Sequence, residues 1–217
     1  MPSLLFYCRK SNTINTTMKT DLKAKVLKRM QDSSLKAFSC FDFVDLSSYK
    51  TISKCLERLE DTKAIKRIID GIYCLNITDE SLNLPILPSV DDVASCLARK
   101  HDWTIFPSEN VALNLMGLSE QVPSSYNYIS SGPYKTYSIY GMEVSFKKVM
   151  SREIANHSFK TQLLIQCIKA LGKGNLTEKE IEILRSNMTH EEKNNAFYES
   201  VTLQSWIRDI IVRVCRA

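Results

Sequence analysis

Lys50, Lys54 and Arg58 recur every four residues, and Lys66 and Arg67 follow soon after them. Cations four apart share one side of a helix. A row of them suits a polyanion, because each phosphate neutralised releases condensed counterions. Tyr49 and Thr51 flank the first lysine and carry hydroxyls that can meet base edges. The chemistry on offer is therefore binding: Tyr49, Lys50, Thr51 and Lys54 as base readers, Arg58, Lys66 and Arg67 as phosphate contacts. Two other readings stay open, a solvated basic surface and a head that binds protein instead of DNA.

The remaining reactive residues form no catalytic pattern. "GKGN", residues 172–175, lacks the G-x-x-x-x-G-K-[ST] spacing of a phosphate loop and ends a helical run instead of starting one. A metal-dependent nucleotidyltransferase needs clustered carboxylates after a Gly-Ser turn, and the chain has neither a Gly-Ser dipeptide nor D-x-D. In "EVSFKK" the carboxylate of Glu143 is misplaced, relative to Lys147 and Lys148, for a restriction-type nuclease. No Ser-His-Asp or Cys-His arrangement is legible. His101, His157 and His190 are scattered, and none of the seven cysteines is spaced C-x-x-C. No zinc site, disulfide, metal or cofactor is expected, and buried thiols in a reducing cytoplasm are. The chain is not expected to be an enzyme.

Composition fits a globular protein: 44% hydrophobic, 24% charged and a net charge of +5. The excess of cations falls in residues 1–80. No apolar run approaches the ~18 residues that span a bilayer, so no membrane partner is expected. "LLFYC" falls short of the roughly 7–15 apolar residues of a signal peptide. Residues 1–19, otherwise rich in Ser, Thr and Asn, are expected to be disordered, with Met18 a candidate start.

The elements that must position the cations can be read from periodicity. In "DLKAKVLKRMQ", Leu22, Val26, Leu27 and Met30 form a helical stripe, with Thr20 or Asp21 as cap and Lys23, Lys25, Lys28 and Arg29 on the other face. "FSCFDFVDL" is short and apolar, and Ser47 or Ser48 can cap the next helix. That helix buries Ile52, Cys55, Leu56 and Leu59 and presents the Lys50–Arg58 row outward. In "AIKRIIDGIYCL", Asp70-Gly71 asks for a two-residue hairpin with positive φ at both central positions. Helix, short helix, turn, helix and hairpin together spell a winged helix-turn-helix over residues 20–80, with the hairpin as wing.

Beyond the proline-marked segment "NLPILPS", residues 83–89, the pattern becomes α+β. Ser89 and Asp92 form a capping box for a helix, "WTIFP" reads as a strand, and Ser108 can cap "ENVALNLMGL". "YNYIS" and two segments around Gly141-Met142 complete a small sheet. C-terminal helices follow, two of them opened by the capping boxes Thr177/Glu180 and Thr189/Glu192. The expected fold is thus α+β, a winged head followed by a small mixed sheet packed with helices over residues 85–217.

"PSENVALNLMGLSEQVP" followed by "YISSGPYKTYSI" resembles the middle block of the AbiEi-type antitoxin family. The matching residues are Pro107, Ser108, Ala112, Asn114, Gly117, Leu118, Ser119, Gln121, Val122, Pro123, Gly132 and Pro133. "RIIDGIY" and "LIQCIKALGK" resemble further parts of that family. The chain departs from it at Glu109, where relatives often carry Gly, and at Glu120, where they often carry Thr. The resemblance implies a cytoplasmic bacterial antitoxin of a toxin–antitoxin or abortive-infection system. Its winged head would repress its own operon, binding double-stranded DNA, and the rest would oppose a nucleotidyltransferase-like toxin. Ser108, Asn114 and Gln121 are candidate partner contacts, although such residues also cap helices and satisfy loop backbone.

Overall fold

Alternating apolar stripes give the chain two separate cores. The computed structural model describes residues 10–121, 123–154 and 157–216 and divides by its contacts into Met1–Lys100 and His101–Ala217. The sequence places the division at residues 83–89. The contacts move it past the next helix, because that helix is tied into the first unit by its last turn.

In the first unit, α1 (Lys10–Asp32) leads through a 3-10 turn (Cys40–Phe43) to α2 (Tyr49–Asp61). A hairpin follows, β1 (Ile65–Ile69) against β2 (Ile72–Leu75), then a two-stranded ribbon, β3 (Ile77–Asp79) and β4 (Leu84–Ile86), and α3 (Val90–His101). The helix begins at Lys10, ahead of the expected cap at Thr20 or Asp21 and within the stretch expected to be disordered. The part of that expectation covering residues 1–9, and Cys8 with it, lies outside the described residues.

Val26 and Met30 of α1, Ile52, Leu56 and Leu59 of α2, and Phe38, Phe43, Ile65 and Tyr73 fill one buried cluster. Burying such side chains contributes about 1.5–3 kcal/mol each before entropy is counted. Arg29 fixes the 3-10 turn, donating to Asp45 at 2.6 and 2.7 Å and to the Asp42 carbonyl at 3.2 Å. Arg99 of α3 donates to Asp42 at 3.1 Å and to the Ala37 carbonyl at 2.9 Å. Lys100 donates to the Asp70 carbonyl at 3.2 Å. These bonds, and the Ser89/Asp92 capping box that opens the helix, hold α3 in this unit. The hairpin forms at Asp70-Gly71 as expected, but only Gly71 has positive φ, at +70°. A register irregularity between Arg67 and Ile69 absorbs the difference.

The second unit is built on a four-stranded sheet of order β5-β6-β8-β7. Its strands are β5 (Ile105–Ser108), β6 (Ser125–Ser130), β7 (Lys135–Ile139) and β8 (Met142–Lys148). β6 pairs with β8 in parallel and the other pairs are antiparallel, so the sheet is mixed. Between β5 and β6 lies α4 (Glu109–Leu115). The short α5 (Ser151–Ile154) and α6 (Phe159–Leu171) follow the sheet. They lead to α7 (Glu178–Ser186), α8 (His190–Glu199) and α9 (Ser205–Cys215). Leu163, Leu164, Cys167 and Ile168 of α6 meet Ile181, Leu184, Ala196, Ile207, Ile211 and Val214 in the helical core.

Both expected capping boxes, Thr177/Glu180 and Thr189/Glu192, are formed. Gly132 belongs to a close approach: a Cβ there would lie 2.4 Å from the Trp103 indole. That ring stacks on His101 and leans on Phe146. The chain is α+β, with a helical region ahead of the strands and small mixed sheets. Among the described residues no helix is long and apolar enough to cross a membrane.

Candidate nucleic-acid interface

The buried stripe of α2 is Ile52, Cys55, Leu56 and Leu59. Helical geometry turns Lys50, Lys54 and Arg58 away from it, and all three are exposed. Together with Lys23 of α1, they line a groove of about 260 Å³ between the two helices, floored by Leu22 and Cys55. Burial pushes the Cys55 thiol above its usual range, and the charges of Lys23 and Arg58 pull it the other way, so both cations act on that sulfur.

Neighbouring cations differ in their partners. Lys25 pairs with Asp21 at 2.7 Å, Arg29 with Asp45 at 2.6 Å, Arg99 with Asp42 at 3.1 Å and Arg67 with Glu60 at 2.8 Å. Lys23, Lys50, Lys54 and Arg58 are absent from the ion pairs among the described residues. Four positive charges lining one concavity raise the local potential and favour an anion there.

The other expected contacts separate from this cluster. Thr51 lines the groove, but its hydroxyl is bonded to the Ser48 hydroxyl at 2.9 Å, at the start of α2. Tyr49 sits on another flank of the helix, its ring 5.3 Å from that of Phe41. Arg67, expected as a phosphate contact, is engaged within the fold. Its guanidinium donates to Glu60 at 3.0 Å through Nε and lies 5.2 Å from the centre of the Tyr73 ring. The Glu60 hydrogen bond holds its pKa above the usual arginine value. Lys66 is exposed, and strand alternation points it to the opposite face from Arg67. Of the two hairpin cations, Arg67 is paired and Lys66 forms no ion pair among the described residues.

Lys23 is the groove-lining residue that sequence reasoning did not single out. It was visible as one of several cations on the polar side of α1. Nothing local distinguishes it from Lys25 or Arg29, because what matters is the packing of α1 against α2.

Of the candidate partner contacts in the second unit, Asn114 has a structural role. Ser108 precedes α4 and is only 3% exposed, so it offers no surface to a partner. Its hydroxyl has no hydrogen-bond partner among the described residues and does not form the expected cap of α4. Asn114 donates to the carbonyls of Ser119 and Gln121 at 3.1 and 3.3 Å. The Gln121 backbone N–H donates to the Ser119 hydroxyl at 3.3 Å. Asn114 thereby shapes the loop after α4, and of the three side chains only that of Gln121 is exposed. Glu109 sits at φ +52°, a left-handed conformation that glycine adopts without strain, and its carboxylate pairs with Lys147.

No curated protein matches the chain. Among solved structures it is similar to the RV2827C protein from Mycobacterium tuberculosis, with 11% identity and a TM-score of 0.43 over 89% of this chain and 79% of that one. A sequence-family match spans residues 22–196, from the middle of α1 into α8. On that match the chain belongs to DUF6088, a family of unknown function.

Proposed function

We propose that this protein is a DNA-binding autorepressor and antitoxin of a bacterial toxin–antitoxin system, working in the cytoplasm. In this reading residues 20–80 act as a winged helix, with α2 in the major groove and the β1–β2 hairpin alongside. The observation that carries the DNA-binding part is the row Lys50, Lys54 and Arg58, exposed on one side of α2 and absent from the ion pairs among the described residues. The order α1, 3-10 turn, α2, hairpin supports the same arrangement. The antitoxin part rests on the resemblance of residues 107–133 to the AbiEi-type family. The opposed toxin is nucleotidyltransferase-like, and opposition works with or without direct contact.

The test is a mobility shift with the protein's own upstream region. The shift should weaken steeply with salt. A nucleotidyltransferase-like reading frame beside the gene, whose growth inhibition this protein relieves, would support the antitoxin part. Relief that persists when DNA binding is abolished would separate the two roles.

One observation favours a second reading, a head that binds protein. Phe41, Val44 and Tyr49 are each about half exposed, and the two rings are in contact. Exposed aromatic residues suit the centre of a protein interface. Capture of the neighbouring gene product by a chain that shifts no duplex would favour it.

A further inference from the structure

We propose that the groove between α1 and α2 clamps one backbone phosphodiester of duplex DNA, with Lys23 reaching it from outside the helix that enters the major groove. This rests on the reading that α2 meets DNA, and adds a subsite and a residue to it. The groove draws on two elements: Lys23 from α1, and Lys50, Thr51, Lys54 and Arg58 from α2. Its volume of about 260 Å³ leaves room for a phosphate with ordered water. Leu22 and the buried Cys55 form the floor. An apolar floor lowers the local dielectric and strengthens the attraction between the cations and an anion.

Glu57 and Asp61 of α2 form no ion pair among the described residues and lower the net charge of that helix, but they do not line the groove. Four other nearby acids are engaged elsewhere. Asp21 pairs with Lys25, Asp45 with Arg29, Asp42 with Arg99 and Glu60 with Arg67. A phosphate held between two helices fixes the angle and register of α2 on the duplex but carries no base information. Lys23 is therefore a sequence-independent contact, in contrast with Lys50, which stands near the start of α2 where base edges are read.

The experiment is fluorescence anisotropy of the full chain on its own upstream duplex and on two duplexes of unrelated sequence, over a range of NaCl concentrations. Lys23→Gln should weaken binding to all three by the same factor, about three- to tenfold, and reduce the salt slope by about one phosphate. Lys23→Arg should restore most of the affinity. Unchanged affinity and slope in Lys23→Gln, with binding lost in Lys50→Glu/Lys54→Glu, would overturn the clamp and leave the α2 reading intact. A loss confined to the upstream duplex would overturn it as well, because it would make Lys23 a base reader. Failure of the unmodified protein to bind any duplex would remove both proposals. Thermal melting of Lys23→Gln at the value of the unmodified chain confirms that the fold is retained.

Discussion

Arg67 and Lys66 are adjacent in sequence and opposite in use. Glu60 and the Tyr73 ring capture Arg67, while Lys66 projects from the other side of the strand. Arg67→Ala should therefore act mainly on stability. An exposed ion pair contributes about 0–1 kcal/mol and a surface cation–π contact about 0.5–1 kcal/mol, so a loss of about 1 kcal/mol is expected in denaturant unfolding. Its DNA affinity should fall less than that of Lys50→Ala, and a larger fall would return Arg67 to the interface. Glu109 makes a second case. At φ +52° glycine fits and a β-branched residue does not. Glu109→Gly should change stability by no more than about 1 kcal/mol, whereas Glu109→Val should cost about 1–2 kcal/mol. Equal stability of the two variants would show that the left-handed backbone carries no strain.

At the scale of elements, local signals were legible and approach distances were not. The capping boxes at Ser89, Thr177 and Thr189 could be read from the sequence because they depend on residues three apart. The helix of Ile52, Leu56 and Leu59 and the hairpin at Gly71 are local in the same way. The need for a glycine in the Ser-Gly-Pro segment after β6 was not legible. Gly132 is required because Trp103, distant in sequence, lies against its backbone. Gly132→Ala should destabilise the second unit by about 3 kcal/mol through overpacking, measured as a lower unfolding midpoint. A compensating Trp103→Leu should recover part of that loss. No change in midpoint would show that the indole moves aside freely.

At the scale of the whole molecule, two units carry two kinds of evidence. The α+β class could be read because period-3.6 and period-2 stretches are separated by Gly and Pro. The division after Lys100 could not, since it depends on Arg99 and Lys100 reaching Asp42, Ala37 and Asp70 far back in the chain. The basic row of α2 was legible as a row. Its union with Lys23 in one groove, and the loss of Arg67 from it, follow from packing and ion pairing between distant segments. The second unit holds the segment on which the proposed antitoxin role rests, and there Ser108 is buried and Asn114 shapes a loop.

We propose that the exposed cations of α2 bind duplex DNA, which is tested by the affinity of the full chain for its own upstream duplex, compared with that of a correctly folded Lys50→Glu/Lys54→Glu variant, as NaCl is raised from 50 to 200 mM. Binding by the unmodified chain should decline steeply with salt, and the variant should lose at least tenfold at every salt concentration. Equal affinity of the two proteins, or binding indifferent to salt, would contradict it.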